Sequence, residues 1–180
     1  VTLYGTIEAS IENGKSLSYS GGAAKSTTRI DATGFLIGFK GSEDLGNGLK
    51  AIWQVENSIA LDTGAGNFAT RDSFVGLTSP SMGMLQLGLL TSSARAMGGI
   101  YDINKAATGI GLSAALLGKL GNFAITDPAL KTQAAGQIGQ FDNRLRNSVQ
   151  YTTPTFSHFS ASALYSAGEN SSGPRAYNAN

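Results

Sequence analysis

Few side chains in this sequence could carry out catalysis. Among its 180 residues there is one histidine, His158, and there is no cysteine. A catalytic serine needs a histidine and an orienting acid beside it, and the Gly-x-Ser-x-Gly turn that often exposes such a serine does not occur. A zinc site also needs several histidine, cysteine or acidic ligands. The sequence therefore predicts a protein that is not an enzyme and that uses no cofactor or metal ion.

The charged residues are the other group that could have a functional role. They are few, and the basic and acidic residues are nearly equal in number. Lysine and arginine number 13 and aspartate and glutamate 12, which gives a net charge of +1. Charged residues make up 14% of the chain, against roughly 25% in a soluble domain. A nucleic-acid-binding domain would show a clustered basic excess, so no nucleic acid partner is expected. The 41% content of apolar residues also argues against disorder.

These charges lie within short segments in which apolar and polar residues alternate. In the opening segment, Leu3 and Ile7 alternate with Glu8, and the same period of two recurs around Lys40 and Glu56. This period is typical of β-strands whose two faces meet different surroundings. A water-soluble antiparallel β-protein alternates in the same way, so a soluble sheet stays open as an alternative at this point.

Two long stretches, 73–94 and 147–168, contain no lysine, arginine, aspartate or glutamate. Each has turn-forming residues near its middle, Pro80 and Gly83 in the first and Pro154 in the second, so neither suits a single spanning helix of about 20 residues. Each is predicted to form two strands of roughly 8–10 residues joined by a tight turn. Strands of about 9–11 residues can cross a bilayer, and uncharged hairpins of this length are typical of lipid-facing barrels.

The connections between the predicted strands differ in length in a regular way. Short turns are predicted at 43–48, 79–83 and 153–158, and long connections at 14–29, 62–70 and 93–143. Long and short connections alternate along the chain, as they do in barrels with short periplasmic turns and long outer loops. The last long connection, of about 50 residues without a strand pattern, is of a length that is usually functional.

Seven strands are predicted in all, near residues 1–13, 30–41, 49–61, 70–78, 84–92, 144–153 and 159–169. Bacterial single-chain barrels have even numbers of strands, and an open sheet would leave bare edges in hydrocarbon. The tail from Gly168 to Asn180 is expected to begin another outer connection rather than to form a strand. The chain is therefore expected to be the N-terminal half of a longer protein and not to close a pore alone.

Several of these segments resemble one protein family position by position. The opening residues Val1–Gly5 resemble the mature start of the general porins of neisserial and related Gram-negative bacteria. The block Ile37–Glu56, with Glu-Asp-Leu-Gly-Asn-Gly at its turn, resembles the second strand, first turn and third strand of that family. Arg71–Leu77, Leu85–Gly88 and Arg144–Tyr151 resemble its fourth, fifth and sixth strands.

The resemblance implies an all-β fold, a transmembrane antiparallel β-barrel with 16 strands in the full-length family. Residues 1–180 would be the N-terminal part of a single barrel domain, with 93–143 as the constriction loop that folds into the lumen. The family also implies a homotrimer in the outer membrane, in contact with lipid and lipopolysaccharide, that passes ions and small hydrophilic solutes by passive diffusion. Two alternatives stay open: a non-conducting structural or adhesive outer-membrane barrel, and a soluble lectin-like binding module.

Alternation along the strands then divides the side chains between the two faces of such a barrel. The face toward lipid or a neighbouring subunit is predicted to hold Leu3, Ile7, Phe35, Ile37, Phe39, Trp53, Val55, Phe74, Leu85, Leu87, Val149 and Tyr151. The face toward the lumen is predicted to hold Glu8, Glu12, Lys40, Lys50, Glu56, Arg71, Arg144 and Arg146.

The predicted lumen set has five basic and three acidic side chains, and rings of charged side chains set ion preference in pores. In the resembled family, arginines on the barrel wall face acidic groups on the constriction loop. Arg71 and Arg144 match the wall positions, and Asp102, Asp127 and Asp142 are the acidic candidates on the loop. Together these residues predict a weak preference for anions.

The sequence departs from the family pattern at a few positions. Leu36 and the pair Leu89 and Leu90 stand where the family often has lysine or arginine, which removes two expected lumen charges. The stretch 109–120 is more apolar than a usual constriction loop, and three of its leucines recur every four residues. We expect these leucines to form a short helix face that packs on the wall; a hydrophobic constriction of the pore is the alternative.

Overall fold

A computed structural model of the chain describes residues 1–15, 26–32, 34–101, 144–167 and 176–179. Eleven β-strands and one α-helix lie in these ranges. The first six strands are β1 (Thr2–Thr6), β2 (Ser10–Lys15), β3 (Ser26–Asp31), β4 (Leu36–Gly46), β5 (Leu49–Ala60) and β6 (Ala65–Gly66). The elements that follow are β7 (Ser73–Ser79), β8 (Gly83–Thr91), α1 (Ser93–Tyr101), β9 (Arg144–Thr152), β10 (Ser162–Ser166) and β11 (Ala176–Ala179).

Most of the strands form one antiparallel sheet in the order β1-β4-β5-β7-β8-β9-β10-β11, and the short β6 pairs with β5 beside this path. Strands that follow each other in the chain are therefore mostly neighbours in the sheet, as in a β-meander. β2 and β3 form a separate two-stranded sheet. The predicted antiparallel β-fold is confirmed, and the path through the described strands is open, with β1 and β11 at its two ends.

The short turn between β4 and β5 has the backbone geometry that its sequence predicts. Gly46, Asn47 and Gly48 have φ angles of 87°, 52° and 77°. This is the left-handed region, which glycine and asparagine enter more readily than other residues. The predicted turn at 79–83 is also present, and it ends at Gly83 with a φ angle of 82°.

The first predicted strand, 1–13, is interrupted in the structure. β1 ends at Thr6, and the segment after it forms the hairpin of β2 and β3 outside the main sheet. An ion pair across this hairpin, with 2.7 Å between the guanidinium of Arg29 and the carboxylate of Glu12, helps to hold its strands together. The predicted long connection after the first strand is therefore shorter than expected, because its two ends pair with each other.

The tail 168–180, expected to be a connection, contains a strand. β11 pairs antiparallel with β10, with Ser166 opposite Ala176 and Ala163 opposite Ala179. The expectation is wrong here because β10 presents a row of backbone N–H and C=O groups that need partners. A short segment can supply those partners through its backbone even where its side chains show no clear period.

The helix α1 begins directly after β8, inside the segment predicted as a long connection. Ser92 precedes it, and the Ser92 Oγ accepts a hydrogen bond of 3.4 Å from the Arg95 N–H, as an N-cap serine does. The helix face predicted within 109–120 lies outside the described residues. Among the residues that the structure describes, no helix is long and apolar enough to span a membrane.

One face of the main sheet is lined by exposed apolar side chains. Trp53, Val75, Leu87, Val149 and Tyr165 occupy one cross-strand row from β5 to β10. The last four of them are all exposed, and Val75 is 63% exposed. A water-soluble sheet would cover such a row with a second layer, because apolar burial is the main source of its stability.

The opposite face carries polar side chains that are less exposed than their apolar neighbours. Gln86 and Ser148 lie beside Leu87 and Val149 in the chain, yet they are only 9% and 2% exposed. This distribution is the reverse of that in a soluble sheet and agrees with the barrel expected from the sequence, in which one face meets lipid. It disfavours the soluble alternative.

Phe74 does not follow the predicted division of faces. Alternation assigns it to the apolar face, but it pairs with Gln54 on β5 and with Gly88 on β8, and Val75 takes the position beside Trp53. Phe74 and Val75 are adjacent apolar residues, so the local pattern does not decide which of them faces outward. The pairing with β5 decides it.

We expect Val75→Arg to lower the free energy of unfolding by about 2–4 kcal/mol, the cost of an arginine on the lipid face near the middle of a bilayer. Ser42→Arg is the matched control. Ser42 is exposed on the opposite face and lies one register row away, in the row of Gly76. It should change stability by less than about 1 kcal/mol.

The measurement is urea unfolding, in lipid vesicles, of the natural protein that carries this sequence. Equal losses for the two variants would contradict the assignment of the faces.

Candidate functional site

Charged side chains gather at the end of the main sheet from which the long connections leave. β7 begins just after Arg71 and Asp72, β8 ends at Thr91, and β9 begins at Arg144, which is opposite Thr91 in the register. β5 and β1 contribute one acid and one tyrosine to the same region. The six residues form what we call the wall patch: Tyr4, Glu56, Arg71, Asp72, Thr91 and Arg144.

The first ion pair of the wall patch joins Arg71 to Glu56. The Arg71 guanidinium donates to Oε1 of Glu56, and the Tyr4 hydroxyl donates to Oε2 at 2.9 Å. The backbone adds two bonds: the Arg71 N–H donates to the Glu56 carbonyl at 3.0 Å, and the Glu56 N–H donates to the Ser73 hydroxyl at 3.2 Å. Because each carboxylate oxygen has its own donor, the orientation of the carboxylate is fixed.

The second ion pair joins Arg144 to Asp72. Arg144 Nε donates to Oδ2 of Asp72 at 3.0 Å. The Thr91 N–H donates to Oδ1 at 2.7 Å, and the Thr91 hydroxyl lies 2.7 and 2.8 Å from the two carboxylate oxygens. Asp72 therefore ties the start of β7 to the end of β8 and to the start of β9.

Asp72 was not among the predicted site residues. The sequence does carry a signal, since the charged pair of Arg71 and Asp72 stands directly before an uncharged strand. The partners of Asp72 nevertheless come from β8 and β9, and Arg144 is 72 positions away. Only the register of those strands identifies them.

The position of Tyr4 depends on a neighbouring glycine. Tyr4, Gly38 and Glu56 are consecutive partners in one cross-strand row, so the tyrosine reaches Glu56 by lying across Gly38. A Cβ atom at Gly38 would lie 2.3 Å from Cζ of Tyr4, which would force the ring to move. The ammonium of Lys40 lies 5.1 Å from the centroid of the same ring, within the range of a cation–π contact.

The wall patch is partly buried and carries no formal net charge. The side chain of Glu56 is 11% exposed and that of Arg71 is 25% exposed. Its two arginines are matched by two carboxylates, Glu56 and Asp72. In such surroundings an ion pair contributes little net stability to the fold, but removing one partner is destabilising because it leaves the other charge partly desolvated and unpaired.

The structure places the other predicted wall charges outside these two ion pairs. Lys50 is the second residue of β5 and Glu56 the eighth, so about 20 Å of strand separates them. Lys50 is opposite Asp44 beside the short turn. Glu8 lies between β1 and β2 and is half-buried.

A β-bulge breaks the alternation predicted for 144–152. Ser148 pairs with Gly88, but the register then shifts, and the next pair toward the start of β9 is Leu145 with Leu90. Strict alternation therefore does not run from Arg144 to Ser148, because β9 accommodates an extra residue between them. Arg144 nevertheless contacts Asp72 in the wall patch. Arg146 is exposed, and its carbonyl accepts hydrogen bonds from the hydroxyls of Ser148 and Ser166.

The acidic residues predicted on the constriction loop, Asp102, Asp127 and Asp142, lie outside the described residues. In the described part of the chain, the counter-charges of Arg71 and Arg144 come from the wall itself. Within the same part, no group of three or more acidic or histidine side chains is arranged to hold a metal ion.

An apolar outer face together with a polar wall that carries ion pairs defines a membrane β-barrel protein of the porin class. A family model described as Gram-negative porin matches residues 1–180. The chain belongs to the Gram-negative porin family.

The curated relatives agree with this assignment. The chain is 36% identical over 176 residues to the major outer membrane protein P.IB of Neisseria meningitidis serogroup B, covering 94% of the chain and 45% of that protein. It is 34% identical over 174 residues to the protein of the same name from Neisseria lactamica, covering 95% and 45% of the two chains. The chain thus spans a little under half the length of these relatives.

A solved structure shares the fold. The anion-selective porin from Comamonas acidovorans superposes with a TM-score of 0.68 and 28% sequence identity, covering 92% of this chain and 46% of that one. Family, relatives and fold place the protein in the outer membrane of a Gram-negative bacterium.

We expect Gly38→Ala to lower the free energy of unfolding by about 1–3 kcal/mol, the usual cost of an added methyl group in a filled space. The added Cβ would push the Tyr4 ring off its position and weaken the Tyr4–Glu56 hydrogen bond. Gly14→Ala in β2 is the control, because a Cβ there meets nothing within 4 Å. Urea unfolding in lipid vesicles measures both; a Gly38→Ala variant as stable as wild type would contradict the close packing.

We expect Asp72→Ala to lower the free energy of unfolding by about 2–3 kcal/mol, because Arg144 and Thr91 lose a charged acceptor in a partly buried place. The same substitution at Asp62, in the exposed turn after β5, should change it by less than about 0.5 kcal/mol. If the two variants unfold at the same urea concentration, Asp72 does not tie the three strands together.

Proposed function

We propose that the protein that carries this sequence forms a water-filled channel through the outer membrane, by which ions and small hydrophilic solutes diffuse passively. The observation that supports this most directly is the reversed distribution of side chains on the main sheet. The apolar residues Val75 and Leu87 are exposed on one face, whereas the polar residues Gln86 and Ser148 are buried on the other. A wall of this kind suits lipid outside and water inside.

A weak preference for anions is part of this proposal. The wall patch is neutral, and Lys40 on the same face, beside Tyr4, adds a positive charge. Three basic and two acidic groups therefore stand together on this part of the wall, and an excess of one sign in a pore favours ions of the other sign. The relative from Comamonas acidovorans is itself called an anion-selective porin.

The organisation of the whole protein is also proposed. Residues 1–180 would be the N-terminal part of one barrel domain, and 93–143 its constriction loop. Support comes from the ends of that segment: Thr91 and Arg144 are paired in the register and are both bonded to Asp72, so the loop would leave and rejoin the wall at the wall patch. Asp102, Asp127 and Asp142 would then be the acidic groups of the loop.

The assembly and surroundings follow from the family. The protein would form a homotrimer, in contact with lipid and lipopolysaccharide through its apolar face, and would have no catalytic activity, cofactor or nucleic acid partner. The exposed row around Val75 and Leu87 is the kind of surface that lipid or a neighbouring subunit would cover.

The natural protein, purified from outer membranes and inserted into planar bilayers, should give discrete conductance steps. In a potassium chloride gradient its reversal potential should show a permeability ratio of chloride to potassium modestly above one, because the wall carries a small positive excess. A closed barrel of lipid-inserted protein without conductance would favour a structural or adhesive role. A ratio below one would contradict the proposed anion preference.

A further inference from the structure

The ion pairing in the wall patch assigns a role in ion selectivity to an acid of the wall. We propose that Glu56 is a selectivity-determining residue: it neutralises Arg71 on the wall and so keeps the anion preference of the channel weak. The inference rests on the proposed channel function. It states that one carboxylate of the barrel wall, that of Glu56, limits the anion preference.

The geometry shows how closely Glu56 is held to Arg71. Arg71 binds Glu56 twice, through its guanidinium to the carboxylate and through its N–H to the backbone carbonyl. The second carboxylate oxygen accepts from the Tyr4 hydroxyl at 2.9 Å. Both carboxylate oxygens therefore have a donor, and the backbone bond adds a third contact that keeps the pair together.

The burial of the pair decides what a passing ion would meet. The Glu56 side chain is 11% exposed and the Arg71 side chain 25% exposed, so the cation is the more accessible partner. An ion in the lumen meets a closely spaced pair of opposite charges rather than an isolated arginine. The fields of two such charges largely cancel at a distance greater than their separation, so Arg71 attracts anions only weakly beside Glu56.

Tyr4 acts in this arrangement as a positioning residue. It reaches across Gly38 to Oε2 of Glu56, and it does so from β1, two strands away in the sheet. The aromatic ring also lies beneath Lys40. The tyrosine hydroxyl thus keeps Glu56 turned toward Arg71 rather than toward the Lys40 ammonium.

The test compares three neutralising variants of the natural full-length protein in planar bilayers. Glu56→Gln should raise the permeability ratio of chloride to potassium about sevenfold, because loss of one unit negative charge at about 7 Å in water favours chloride and disfavours potassium by about threefold each. Arg71→Gln should lower the ratio by a similar factor. The double variant Glu56→Gln/Arg71→Gln should return to the wild-type ratio, because it removes both charges of the pair.

Glu43→Gln is the matched control, since it removes the same charge from an exposed position of β4 beside the short turn. It should leave the ratio unchanged. A Glu56→Gln channel with the wild-type ratio would overturn the inference. If Glu56→Gln alone does not fold, the double variant still decides: a ratio as low as that of Arg71→Gln alone would mean that Glu56 has no influence on selectivity.

These outcomes are separable from a failure of the proposed function. Wild-type protein that forms no channel, or that prefers cations, contradicts the proposed function itself. Wild-type protein that conducts with a weak anion preference, together with an unchanged Glu56→Gln variant, contradicts only the role of Glu56.

Discussion

Backbone hydrogen bonding between neighbouring strands is the constraint on which the rest of this structure depends. In hydrocarbon, every N–H and C=O group needs a protein partner, and an antiparallel sheet supplies those partners while it sends successive side chains to opposite faces. Once the strands are paired, each position is committed either to the apolar face or to the polar one. The exposed apolar row of Val75 and Leu87, and the polar residues Gln86 and Ser148 on the opposite face, are consequences of that single arrangement.

The polar face shows how such a wall holds charge. A cross-strand row brings together residues that are far apart in the chain, so Tyr4 and Glu56, 52 positions apart, share one hydrogen bond. Asp72 joins three chain segments in the same way. The attraction between carboxylates and guanidinium groups in this setting adds little to the stability of the fold. Loss of either group is nevertheless destabilising, because its partner would be left partly desolvated and unpaired. The same pairs that secure the strands therefore also determine how much charge the lumen presents.

Much of the fold could be predicted because its signals are local. The turn at Gly46, Asn47 and Gly48 depends on backbone angles that few residue types adopt, and the faces of β5 follow from strict alternation around Trp53. Predictions failed where the decision was not local. Two adjacent apolar residues left the orientation of Phe74 open, and the bulge in β9 interrupted the alternation expected between Arg144 and Ser148. The strand β11 formed through backbone pairing, which leaves little trace in side-chain period.

By itself, the sequence determined the class of structure: an antiparallel sheet with one apolar and one polar face, whose strands are joined by alternating short and long connections. It also carried the family assignment, through blocks such as Ile37–Glu56. The tertiary structure alone decided which charges meet. Arg71 and Glu56 both occur in the predicted lumen set, but strand register decides that they form an ion pair and that Tyr4 also bonds to Glu56. Register likewise decides that Asp72 bonds to Thr91 and Arg144. The physical reason is that alternation fixes the face of a residue, whereas its neighbours across the sheet are set by how far each strand is shifted against the next.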